Sequence, residues 1–135
     1  MPHWFEYDRS HGILRCRVEG EVDDAEVRRF HRVARALGEQ LRPRAGILDL
    51  TAVTAFEVSA EAVQQLAAAP PAFGDSKLAR LVVAPQPNIY GLTRMFQQLR
   101  GETRPNIVLL RQAAEAYALL GVPAPQFETI AEPVA

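Results

Sequence analysis

A chain of 135 residues, 48% hydrophobic and 23% charged, has the make-up of one soluble globular domain with a core of its own, and intrinsic disorder of its body is excluded. The formal net charge of −1 excludes the broad basic field that non-specific nucleic-acid binding requires. No apolar run is long enough to span a bilayer, and the start Met1-Pro2-His3-Trp4-Phe5-Glu6 has neither the basic residue nor the apolar stretch of a signal peptide, so a cytoplasmic protein is expected. The single cysteine, Cys16, agrees with that compartment, since it has no internal partner for a disulfide.

Residues 3–8 are aromatic-rich and read as a strand. Arg9-Ser10-His11-Gly12 is turn chemistry. Residues 13–19 then alternate, with Leu14, Cys16 and Val18 on one face and Arg15, Arg17 and Glu19 on the other. The two strands make an opening hairpin, with the charged face expected near solvent or near a sheet edge. Asp23 and Glu26 have capping-box spacing and start a helix. Val27, Phe30, Ala34, Leu37 and Leu41 form its buried stripe, and Pro43 closes it. Arg28, Arg32 and Arg35 line another face, which reads as a solvated helix surface.

The centre of the chain is Gly46-Ile47-Leu48-Asp49-Leu50, the apolar run of a strand buried on both faces. Residues 51–58 are expected to cross over to a helix at 60–69, opened by Ser59 and buried along Val63, Leu66 and Ala67. Asp49 is placed to satisfy itself on nearby backbone N–H groups. Two prolines and Gly74-Asp75 make residues 69–76 a loop, and residues 79–84 form the next strand. Asn88 is the expected cap of a helix at 89–99, with Ile89, Leu92, Met95, Phe96 and Leu99 apolar and Tyr90 and Arg94 on a different face. A loop at 101–105, a strand at 106–110 and a helix at 112–120 ended by Gly121 complete the domain. Residues 122–135 form a proline-rich tail, which Phe127 and Ile130 would pin to the body or to a neighbouring subunit.

This order predicts an α/β domain over residues 1–121: a hairpin followed by strand–helix repeats, with a mostly parallel sheet of about five strands. Right-handed crossovers repeated in one direction place the helices mainly on one face. Strands that are apolar on both sides then need a cover for the second face: the hairpin, the tail, a partner subunit, as in a homodimer, or a ligand. The chain has no glycine-rich phosphate loop and no Gly-x-Ser-x-Gly elbow. His3, His11 and His31 are scattered, with surface positions the default for the last two, and no metal site or cofactor is expected. Without a nucleophile or an acid–base pair, a non-enzymatic protein is expected.

At Leu48-Asp49-Leu50-Thr51-Ala52-Val53-Thr54-Ala55-Phe56-Glu57-Val58-Ser59 the chain resembles the STAS fold of sulfate-transporter and anti-sigma-factor-antagonist domains. More closely it is similar to small bacterial SpoIIAA-like proteins of unassigned function. That likeness is carried by Gly20, Val83-Ala84-Pro85, Tyr90-Gly91-Leu92-Thr93-Arg94-Met95-Phe96 and Glu115-Ala116 with Leu119-Leu120. The resemblance covers residues from about Trp4 to Leu120 and implies a regulatory or protein-interaction module. Its partner surface would include Glu57, Ser59, Asn88 and Tyr90, with Ser59 as the position phosphorylated in anti-sigma-factor antagonists. Here Ala60 replaces the family's glycine and Val58 its small polar residue, and capping alone accounts for a serine at this place. The alternative is a binder of a small anionic or lipid-like ligand at the carboxyl ends of the strands, through Thr51, Asn88, Tyr90, Arg94 and Arg111.

Overall fold

The computed structural model describes residues 3–68, 79–100 and 107–131. The expected loops at 69–76 and 101–105, Asn106 and Pro133 lie outside these residues, as do the side chains of Ala67, Phe96 and Leu99. The elements run β1 (His3–Asp8), β2 (Ile13–Asp23), α1 (Asp24–Leu41), β3 (Ala45–Glu57), α2 (Ala60–Ala68), β4 (Ala79–Val83), α3 (Pro87–Arg100), β5 (Ile107–Leu110), α4 (Ala113–Leu120) and β6 (Glu128–Ile130). The class is α/β, and one six-stranded sheet in the order β5-β4-β3-β2-β1-β6 holds all the strands of the described residues. The pairs β2–β3, β3–β4 and β4–β5 are parallel, whereas β1 is antiparallel to both β2 and β6. The sheet is therefore mixed and has six strands, not five, because the proline-rich tail returns to supply the edge strand β6.

Two departures from the expected elements have local causes. Residues 51–57 continue β3 instead of crossing over, since β2 also runs on to Asp23 and pairs with them as far as Asp23 opposite Glu57. The ladder's register shifts between Arg17 and Glu19 and again between Gly20, which has φ +74°, and Glu21. At α3, Asn88 lies inside the helix. Pro87 takes the first helical position, where its missing N–H costs nothing, and the Gln86 carbonyl accepts from Tyr90 N–H at 2.9 Å.

The N-cap of α1 and the C-cap of α4 follow their sequence signals, while the N-cap of α4 is Gln112 rather than a residue before it. Asp23 accepts from Glu26 N–H at 2.9 Å. Glu115 Oε1 accepts from Gln112 N–H at 3.1 Å, and Gly121 closes α4 at φ +70°.

The sheet carries a core on each face. On the first, Leu14, Cys16, Val18 and Leu50 pack with Val27 and Leu37 of α1, Ala62 and Val63 of α2 and Ile89 of α3. On the second, Ile13, Ile47, Leu81 and Val83 pack with Ala116 of α4 and with Val122, joined by Tyr117 and Phe127. Handedness accounts for the division. The β2-α1-β3, β3-α2-β4 and β4-α3-β5 crossovers step in one direction, so their helices share a face. From β5 the chain must return across the whole sheet to β6, and a right-handed return runs over the opposite face. The second face is thus covered from within the chain, by α4 and the tail.

Of the charged side of β2, Arg17 and Glu19 keep partly exposed side chains, whereas Arg15 is drawn inward. Arg15 NH2 bonds Glu6 Oε2 at 2.9 Å, its NH1 donates to the Tyr117 hydroxyl at 2.8 Å, and its guanidinium lies 3.9 Å from the centre of the Phe127 ring. Among the described residues no helix is long and apolar enough to cross a membrane.

Asp8 joins the tail to the hairpin. It is fully buried, yet its carboxylate accepts from His11 N–H (3.0 Å) and Gln126 N–H (3.0 Å) and bonds His11 Nδ1 (2.9 Å). Burial alone would push this carboxyl up. The His11 side chain, the two N–H groups and the His11 charge together hold it below its ordinary value of 3.8. The stability it contributes is complete above that ordinary value and is lost as pH falls through the depressed one. Asp8→Asn is expected to cost about 1–3 kcal/mol at neutral pH and to flatten the acid limb of the stability curve. Thermal unfolding across an acid pH series checks this, and acid limbs of equal steepness would exclude Asp8 as the group responsible.

Candidate functional site

The expected sites lie where α2 and α3 begin, and the structure divides them. Ser59 immediately precedes α2. Its Oγ accepts from Ala62 N–H at 3.1 Å and donates to Asp24 Oδ2 at 2.7 Å, while its own N–H donates to Asp24 Oδ1 at 2.8 Å. It therefore caps α2 and ties it to the first turn of α1. The two Ser59 donors, backbone first, hold the Asp24 carboxyl below its ordinary range, with a smaller contribution from Arg28. A phosphate on Ser59 would replace the Oγ–H bond with like charge facing an ionised carboxylate. Glu57 is exposed at the end of β3. The Asp24 contact had no signal in the sequence, because the two residues are 35 positions apart.

The proposed ligand set at the strand ends is brought together only in part. Arg111 lies over the Tyr90 ring with its guanidinium carbon 4.3 Å from the centre, a cation–π pair. Thr51 lies within β3, not at a strand end, and both its N–H and its hydroxyl donate to Asp49 Oδ1. Asp49 thus satisfies itself locally, as its position implied. The Gln86 amide fills the notch beside Thr51, reaching the carbonyls of Leu50 (3.0 Å), Thr51 (3.2 Å) and Val53 (2.9 Å). Asn88 and Arg94 are exposed on α3. Among the described residues no group of three or more His, Cys, Asp or Glu side chains is placed to hold a metal ion.

An apolar opening into the molecule lies elsewhere. A cavity of about 200 Å³ runs between the first sheet face and α1, α2 and α3. Phe30 and Ala34 of α1, Leu48 and Phe56 of β3, Leu66 of α2 and Leu92 of α3 form much of its wall. Cys16 lines it too, as does His31, which is half-buried and not the surface residue expected. Sequence reasoning had assigned most of these apolar residues to the core. Periodicity marks the inward face of a helix but not whether the facing surfaces meet.

Ser59→Ala is expected to cost about 1 kcal/mol, the usual loss for removing a cap. Ser59→Asp keeps an acceptor for the helix but sets it against Asp24, so it should be no more stable than Ser59→Ala. Chemical denaturation of the three proteins measures both differences, and a Ser59→Asp protein as stable as wild type would show that this corner readily accepts added negative charge.

No protein-family model matches the chain, and a search of curated proteins finds no match.

Proposed function

We propose that this protein binds a small, largely apolar molecule in the cavity between the first sheet face and α1–α3. The observation that carries the reading is the cavity itself. Its wall is almost wholly apolar and it opens to solvent, so about 200 Å³ of apolar-lined space is within reach of water. Burying apolar surface against a guest contributes roughly 25 cal/mol per Å², and a small apolar molecule is the guest that gains most from such a wall. The apolar wall excludes a strongly hydrated guest, and a cavity of about 150 Å³ is already enough for benzene.

A second reading, a non-enzymatic interaction module of the STAS-like type, is favoured by the exposure of Glu57, Ser59 and Asn88 around the starts of α2 and α3. The homodimer expected from an uncovered sheet face keeps less support, since α4 and Val122 pack on that face. What remains for it is surface such as Leu119, which is 61% exposed.

Native mass spectrometry beside a denaturing spectrum of the same sample separates the readings. Extra mass that disappears on denaturation is the outcome expected of a ligand-binding protein. A clean mass, monomeric or dimeric, favours the interaction module. Ala34→Phe is the matching variant: it should abolish the added mass and leave the melting temperature unchanged or higher, because the ring enters empty space. In a filled core the same change would cost about 1–3 kcal/mol, and that loss would contradict the cavity reading.

A further inference from the structure

We propose that the guest of this cavity is a neutral hydrocarbon of one ring or two small fused rings, with no hydrogen-bonding group in the part that enters. This rests on the cavity reading above and adds the ligand's chemical class.

The polar inventory of the wall carries the argument. Among the described residues no Asp, Glu, Asn, Gln or Ser lines the cavity. Thr93 lines it, but its hydroxyl donates to the carbonyls of Ile89 (3.1 Å) and Tyr90 (2.9 Å) of its own helix. Arg80 and His31 line it as well. Both already have partners within the protein, and the wall they share stays almost wholly apolar. Cys16 contributes a thiol, which packs as a small hydrophobe and is only a weak donor. Gly46 brings backbone to the wall, but β3 is paired there with both β2 and β4, so the ladders take its polar groups. A hydroxyl, amide or carboxylate carried into this space would give up its water and find no partner in return. The wall therefore selects its guest by refusing polar groups.

Shape and size narrow the class further. Phe5 of β1, Phe30 of α1 and Phe56 of β3 reach the cavity from three elements, and their rings gain most from another ring set edge-on or offset against them. About 200 Å³ is somewhat more than the roughly 150 Å³ that holds benzene and less than the roughly 300–1,000 Å³ of pockets that take drug-sized molecules. One ring with a short side chain, or two small fused rings, fits this space.

The test is calorimetric titration of the full chain with indene and, separately, indole. The two have nearly the same shape, and indole adds a single N–H. The protein is first unfolded and refolded to strip bound small molecules, and circular dichroism confirms that its fold returns. Indene is expected to bind at least about tenfold more tightly than indole, the penalty for one buried N–H left without a partner. Ala34→Phe should abolish the binding of both, because its ring takes the same space. A preference for indene below about tenfold, or a reversal, overturns the neutral class and leaves the cavity reading standing, since it shows that the wall offers an acceptor. Indene binding that persists undiminished in Ala34→Phe puts the guest elsewhere and overturns both. Binding of neither also overturns both. The wild-type comparison decides the ligand class even if the Ala34 variant does not fold.

Discussion

The parallel pairing of β2 with β3 is the constraint on which the rest of this structure depends. It runs from Ile13 opposite Ala45 to Asp23 opposite Glu57, well past the point where β4 leaves the sheet. A parallel pair cannot be closed by a tight turn, so α1 must cross over, and the right-handed path puts it on the first face. The steps to β4 and β5 repeat that choice. The return to β6 reverses direction and sends α4 to the other face. The same ladder sets the candidate phosphorylation corner. Because Asp23 ends opposite Glu57, α1 and α2 start side by side, and Asp24 meets both donors of Ser59.

The two faces are used differently. The second is tightly committed: Arg15 is shared among Glu6, Tyr117 and the Phe127 ring, so the hairpin, α4 and the tail are held by one side chain. A buried ion pair of this kind contributes little net stability, but losing one partner leaves a charge stranded, which makes the arrangement specific. The first face is the larger and the looser. Its helices bury Val27, Leu37, Val63 and Ile89, while Phe30, Leu48, Leu66 and Val82 are only partly buried around the cavity. Small residues contribute to that space, Gly46 on the sheet and Ala34 on α1.

Much of the architecture was legible in the residues. The apolar stripe of α1, the Asp23, Ser59 and Gly121 caps and the local self-satisfaction of Asp49 are all encoded within a few positions of where they act. The candidate site was less legible. Tyr90 and Arg111 do meet, but Thr51 is turned to Asp49, and Gln86, which carried no distinguishing signal, binds the β3 carbonyls beside it. A glutamine amide with several carbonyls in reach is a tertiary fact, visible only when α3 is laid against β3.

The sequence by itself determined the α/β class, the order of the elements from the hairpin to the last helix and most of the helix boundaries. Those depend on periodicity, caps and breakers, which are local properties of the backbone. Only the tertiary structure decided the continuation of β3 to Glu57, the sixth strand from the tail, the burial of Asp8 beneath Gln126 and the cavity under α1–α3. Each of these depends on how far apart two surfaces come to rest, or on a pairing between distant segments. Residue types specify that a face is apolar; the geometry of the crossovers specifies what it packs against, and where it leaves room.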